Sequence, residues 1–170
     1  IDHVEYLNTE QEISAAIDAR SVRLDVYLKA SDKVYDIEMQ TTDAPYGKRM
    51  RYYQAMIDSA LLDKGTDYPD LAESYIIFIC TQDPFGCDIP IYTFERRCLE
   101  NEVINIEDES HWLVINSAAW AKDTDKARSE LLQYIENGSV GDDPLTQALS
   151  REVKRNNDNN EWRRSIMGFM

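Results

Sequence analysis

Asp25, Glu38 and Gln40 are the residues whose types and spacing could do chemistry. They lie in "RLDVYLKA" (residues 23–30) and "VYDIEMQ" (residues 34–40), joined by "SDK". Both segments alternate apolar and polar residues at period two, the pattern of a half-buried strand, and "SDK" marks a turn. A hairpin centred between Ser31 and Asp32 sets Ala30 against Lys33, Tyr27 against Asp36, Asp25 against Glu38 and Arg23 against Gln40. Directly opposed residues share a face, with Cβ atoms about 4.5–5.5 Å apart. One face then carries Val22, Leu24, Val26, Leu28, Tyr35, Ile37 and Met39 and is expected to meet the core. The other carries Arg23, Asp25, Tyr27, Asp36, Glu38 and Gln40. Like charges directly opposed destabilise a sheet, so Asp25 against Glu38 requires compensation. Arg23 could supply it in a surface network. A divalent cation could do so too, since Mg²⁺ takes one or two carboxylates and fills its shell with waters and substrate phosphate. Asp36 reads as a solvated strand residue outside that pair.

These residues must be positioned by the elements around the hairpin. "VEYLN" (Val4–Asn8) reads as a short strand. After the loop at residues 41–47, a helix is expected from about Lys48 to Asp63, ending on Lys64 and Gly65. Its apolar stripe would be Met50, Tyr53, Ile57, Ala60 and Leu61. "SYIIFICT" (Ser74–Thr81) is nearly continuously apolar and β-branched, as in a central strand buried on both faces. "QDPFG" is a turn, with Asp83 as a turn residue, and "IYTF" and "WLVINS" are further strands. A helix capped by Asp123 or Thr124 should run to about Glu136, with Gly138 ending it, and another should start at Pro144. The tail "NNDNNEWRRSIMGFM" could form one more. The order is that of an α/β fold, a mixed sheet with helices packed on it.

The chain of 170 residues, 43% of them hydrophobic, is sized for one packed domain. Its formal net charge of −14 repels phosphate at long range and counts against bulk affinity for nucleic acid. A local basic or metal-bearing site remains compatible with it. Cys80, Cys87 and Cys98 form neither a disulfide framework nor a zinc cluster. No apolar run reaches the roughly 18 residues of a membrane span and there is no signal-peptide pattern. The expectation is therefore a cytoplasmic protein with reduced cysteines and no membrane. His3 and His111 stand in no HExxH, Ser-His or Cys-His arrangement, which argues against histidine-based hydrolysis. Nucleotide-binding glycine loops are missing from the sequence as well.

Taken in order, "RSVRLDVYLK…VYDIEMQ", "GKRMRYYQAMIDSALLDKGTDY" and "YIIFICTQDPF…IYTF" resemble the PD-(D/E)XK nuclease superfamily, in its bacterial transposase and recombination-promoting nuclease branch. The resemblance runs from about Val4 to Trp120. It implies a restriction-endonuclease-like mixed β-sheet flanked by helices over residues 1–120, with residues 121–170 as a C-terminal helical extension packed on it. It also implies an endonuclease acting on DNA with Mg²⁺ or Mn²⁺. Asp25 would be the metal-binding aspartate and Glu38-Met39-Gln40 the (D/E)XK triplet, with the Met39 carbonyl as a further ligand. Gln40 stands where the superfamily name has lysine, as it often does in this branch. A neutral amide cannot act as a general base, but it can orient a water.

Lys48, Arg49 and Arg51 open the helix after the hairpin, where cations oppose the helix dipole unless an anion is nearby. Arg49 and Tyr52 recur in the resembling family. Arg49, Arg51 and Tyr52 are the expected substrate contacts, Lys48 reads as surface charge, and Gln54 as a group behind the site or exposed. The superfamily core begins with a helix that often adds a glutamate. Here that helix is expected to be missing or clipped, with Glu5, Glu10 and Glu12 as substitutes in principle. Cutting both strands would require two sites and hence a homodimer. The competing reading is a nuclease-fold domain without catalysis, serving DNA binding or protein interaction.

Overall fold

The computed structural model describes residues 4–8, 11–13, 22–41, 46–62 and 67–158. His3, Glu10, the helix-ending Lys64 and Gly65, and the tail from residue 159 lie outside them. The expected hairpin forms as β4 (Val26–Ala30) and β5 (Lys33–Gln40). Its register is the one that the turn dictates, with Tyr27 opposite Asp36 and Ala30 opposite Lys33. Ser31 takes a φ of 59°, the positive value that a tight two-residue loop needs at its first position.

The expected ladder stops at Val26. Asp25 is a bend, and β3 (Val22–Leu24) before it pairs with β2 (Gln11–Ile13) in a separate two-stranded sheet. Arg23 is therefore opposite Glu12, not Gln40. β1 (Val4–Asn8) pairs antiparallel with β4 on its other edge.

From β5 the chain enters α1 (Tyr46–Leu61) and returns as β6 (Glu73–Cys80), parallel to β5. β8 (Ser110–Asn116) lies parallel to β6, and β7 (Ile91–Phe94) closes that edge antiparallel to β8. The main sheet thus has six strands in the order β1-β4-β5-β6-β8-β7. A short 3-10 segment (Ser117–Lys122) leads into α2 (Lys126–Asn137), followed by α3 (Pro144–Asp158). The Asp125 carboxylate caps α2 by accepting from the Arg128 N–H, and Gly138 ends it at a φ of 76°. The Ser117 hydroxyl donates to the Glu136 carboxylate (2.6 Å), tying α2 to the end of β8.

The face that meets the core is the opposite of the one expected. Tyr27, Val34, Asp36 and Glu38 are buried, whereas Tyr35 and Ile37 are half-buried and Met39 is 46% exposed. The cause is the crossover. α1 lays Met50, Met56 and Ile57 over the face on which Tyr27 and Val34 lie with Ile76, Phe78, Cys80 and Val114. Hydropathy ranked the two hairpin faces, but the covering helix decides which is inside. The helix stripe shifts accordingly: Gln54 is buried and Ala60 is exposed. Gln54 is satisfied there by Asp58, the Ser74 hydroxyl and the Trp112 indole N–H. β6 is central, but only alternate residues are fully buried, because its second face is half covered.

Ile57 is the most enclosed apolar residue of α1 besides Met50, each 1% exposed. Truncating Ile57→Ala removes one of the three buried apolar side chains that α1 lays on the sheet. The expected cost is about 2–5 kcal/mol of unfolding free energy, read as a lower urea midpoint with unchanged slope.

Candidate active site

The site forms where β4 begins and β5 ends. Sequence opposition placed Asp25 against Glu38, and the structure joins them in another way. The Asp25 N–H donates to Glu38 Oε1 (3.0 Å), and the Met39 N–H donates to Asp25 Oδ2 (3.2 Å). Each carboxylate thus receives an N–H from the other strand. The bend at Asp25 frees these amides from the ladder and turns them to the side chains. Asp25 stays exposed while Glu38 is 2% exposed.

α1 supplies the opposing charge. Arg49 Nη2 lies 3.2 Å from Glu38 Oε2 and donates to the Tyr53 hydroxyl (2.9 Å), while Nη1 donates to Gln40 Oε1 (2.6 Å). The guanidinium stands over the Phe78 and Tyr53 rings, 5.1 and 5.3 Å from their centroids. These stacked and forked contacts suit arginine rather than lysine. The Gln40 amide also donates to the Met39 carbonyl (2.9 Å). Arg49, expected to touch substrate, is thus part of the carboxylate cluster. Tyr53, read as core, is its partner, while Arg51 and Tyr52 project outward as exposed residues.

Burial raises the Glu38 carboxyl to about 7, helped by the Asp25 charge and opposed by the Asp25 N–H and Arg49. Asp36 departs most from its expected role. It is fully buried, and neither carboxylate oxygen has a hydrogen-bond partner. Burial, then the charges of Glu38 and Asp25, push it up to about 8, with Arg49 pulling the other way. Its place two residues before Glu38 on a strand fixes it to the same face. What the sequence could not convey is that α1 would cover that face.

A divalent cation fits this donor set. Two carboxylates and a backbone carbonyl are hard oxygen ligands, and burial, with neighbouring carboxylates, holds Asp36 and Glu38 above their usual range. Glu5 and Glu12 lie in β1 and β2, and no helix precedes α1 among the described residues. Nor does any group of three or more His, Cys, Asp or Glu suited to a metal occur among them. Arg49 engages Glu38, and the Gln40 amide engages the Met39 carbonyl. His111 lies apart, near the opposite end of the parallel strands, stacked on Tyr75 and 2.9 Å from Glu73.

A mixed sheet built on β5-α1-β6, with a carboxylate pair at the strand end facing the crossover helix, defines a restriction-endonuclease-like core. The family model of the PD-(D/E)XK nuclease family transposases matches residues 1–136, and the chain belongs to that family. No match was found among curated proteins or among solved structures. The matched span continues through most of α2. No helix among the described residues is long and apolar enough to cross a membrane.

Asp36 gives the site a pH signature. The folded chain holds this proton up to about pH 8, whereas the unfolded chain loses it near 3.8. The folded state therefore binds more protons in between. Stability from this group is full below the unfolded value and is lost as pH rises through the folded one. Glu38 acts in the same direction over a narrower window. In chelator, Asp36→Asn should raise stability at about pH 8.5 by about 2 kcal/mol, and the gain should shrink at about pH 5. Equal urea midpoints for variant and wild type at the higher pH would contradict this.

Proposed function

We propose that the protein hydrolyses phosphodiester bonds of DNA with the help of Mg²⁺ or Mn²⁺ held by Asp25, Glu38 and the Met39 carbonyl. The observation that carries this reading is the Asp25–Glu38 clamp, with Arg49 against the same carboxylate. When bound, the cation would lower the pKa of a coordinated water and offset charge on the scissile phosphate.

The chain's own residues do the rest. Asp25 and Glu38 are fixed by each other's strand, so their oxygens need little reorganisation. Gln40 has an amide oxygen that can accept from the attacking water once Arg49 turns toward the phosphate. Arg49 then serves as the cation that the family pattern otherwise draws from lysine, its planar fork suited to two phosphate oxygens. Arg51 and Tyr52, on the exposed side of α1, extend the contact along the strand. Family membership makes DNA transposition or recombination the natural setting.

One observation favours the alternative, a nuclease fold kept for DNA binding or protein interaction. Gln40 and Arg49 already engage the Met39 carbonyl and Glu38. Metal calorimetry separates the two readings, since absence of binding at millimolar Mg²⁺ and Mn²⁺ would favour the alternative. For the nuclease, plasmid nicking should require the cation and fall by about a hundredfold or more in Asp25→Ala and in Glu38→Ala. Cleavage unchanged in both variants would refute the site.

A further inference from the structure

Beside the carboxylates lies a second feature that the cleavage chemistry leaves unused. A cavity of about 310 Å³ opens between the first turn of α1, the turn after β6 and the β7–β8 edge, a size at the lower end for small-molecule sites. Tyr46, Phe85, Phe94 and Trp112 line it, with Gly47 at the helix start and Arg96 at the rim. Phe85 and Phe94 are each 40% exposed, so these rings are not simply core.

The rings are held in place. The Asp83 carboxylate accepts from the Phe85 N–H (3.0 Å) and from the Tyr92 hydroxyl (2.8 Å). The Phe85 ring lies 5.5 Å from Phe94 and 6.1 Å from Tyr46. Arg96 stands 5.6 Å over Trp112, donates to the Ser110 hydroxyl (3.0 Å) and is ion-paired with the Asp108 carboxylate. Tyr46 also lies 6.1 Å from Phe78, the ring under Arg49. Through Tyr46 and Phe78 the cavity is therefore two ring contacts away from the Arg49–Glu38 cluster.

Charge narrows the choice of occupant. A chain with net charge −14 cannot gather DNA by its overall field. Affinity must come from local cations and from contacts indifferent to charge, and base stacking on aromatic rings is such a contact. A cavity walled by aromatic rings set at angles to one another, with the Arg96–Asp108 pair, the Glu95 carboxylate and the Ser110 hydroxyl around it, offers ring faces and polar atoms to a heterocycle with polar edges. We propose that the cavity receives one unstacked nucleobase of the DNA strand held at the carboxylates. This rests on reading the neighbouring site as a DNA-binding nuclease.

The test uses the full chain in chelator, so that cleavage is not needed, with duplexes that are fully paired or carry one unpaired 2-aminopurine. Wild type should bind the bulged duplex about tenfold more tightly and shift the probe's fluorescence. Gly47 lies at the cavity's edge and a Cβ there would meet nothing within 4 Å, so Gly47→Leu adds bulk at the mouth without a clash at its Cβ. Gly47→Leu and Phe94→Ala should each lose the preference for the bulge while binding the paired duplex as wild type does. Absence of a preference in wild type, or its survival in both variants, overturns the proposal. So does adenosine monophosphate displacing the probe as well as the bulged strand does, which would mark a free-nucleotide site. Mg²⁺-dependent nicking without any bulge preference leaves the nuclease standing and this inference refuted. A bulge preference without nicking does the reverse.

Discussion

The structure depends on how a carboxylate survives burial. Glu38 leaves water on a strand covered by a helix, and a buried charge is costly unless it is paired and hydrogen-bonded. The Asp25 N–H comes from a strand that stops pairing at that residue, and the Arg49 guanidinium comes from the helix above. The bend in the hairpin, the placement of α1 and the ring of Phe78 beneath the arginine all converge on that side chain. Asp36 has no hydrogen-bond partner and feels only the charge of Arg49, and burial beside Glu38 and Asp25 keeps its proton on well into the neutral range.

Much of this was legible in the residues. The tight turn fixed the register, so Tyr27 faces Asp36 as counted. The strands "IYTF" and "WLVINS", the glycine at position 138 and the helix from Pro144 were visible in turn and capping chemistry. Asp25 and Glu38 were brought together by opposition alone, although the actual link runs through backbone amides.

What stayed hidden shares one cause. Period-two alternation separates two faces but does not say which one a crossover helix will cover. Met39 was placed inside and Asp36 outside, and the reverse holds. Tyr53 packs on the core as read while its hydroxyl also meets Arg49, and Gln54 proves buried because it finds polar partners in Asp58, Ser74 and Trp112. Local sequence reasoning fails where function places polar groups beneath a helix.

The Gln40–Arg49 contact ties the choice of residue at one position to the other. Gln40 offers Arg49 an oxygen at 2.6 Å. A lysine there would withdraw that acceptor and set a second cation beside Arg49. Arginine at 49 is in turn affordable because position 40 is neutral. The two residues, one on a strand and one on a helix, meet in one hydrogen bond and so depend on each other's charge. A change at position 40 therefore resets the partner that Arg49 has beside Glu38.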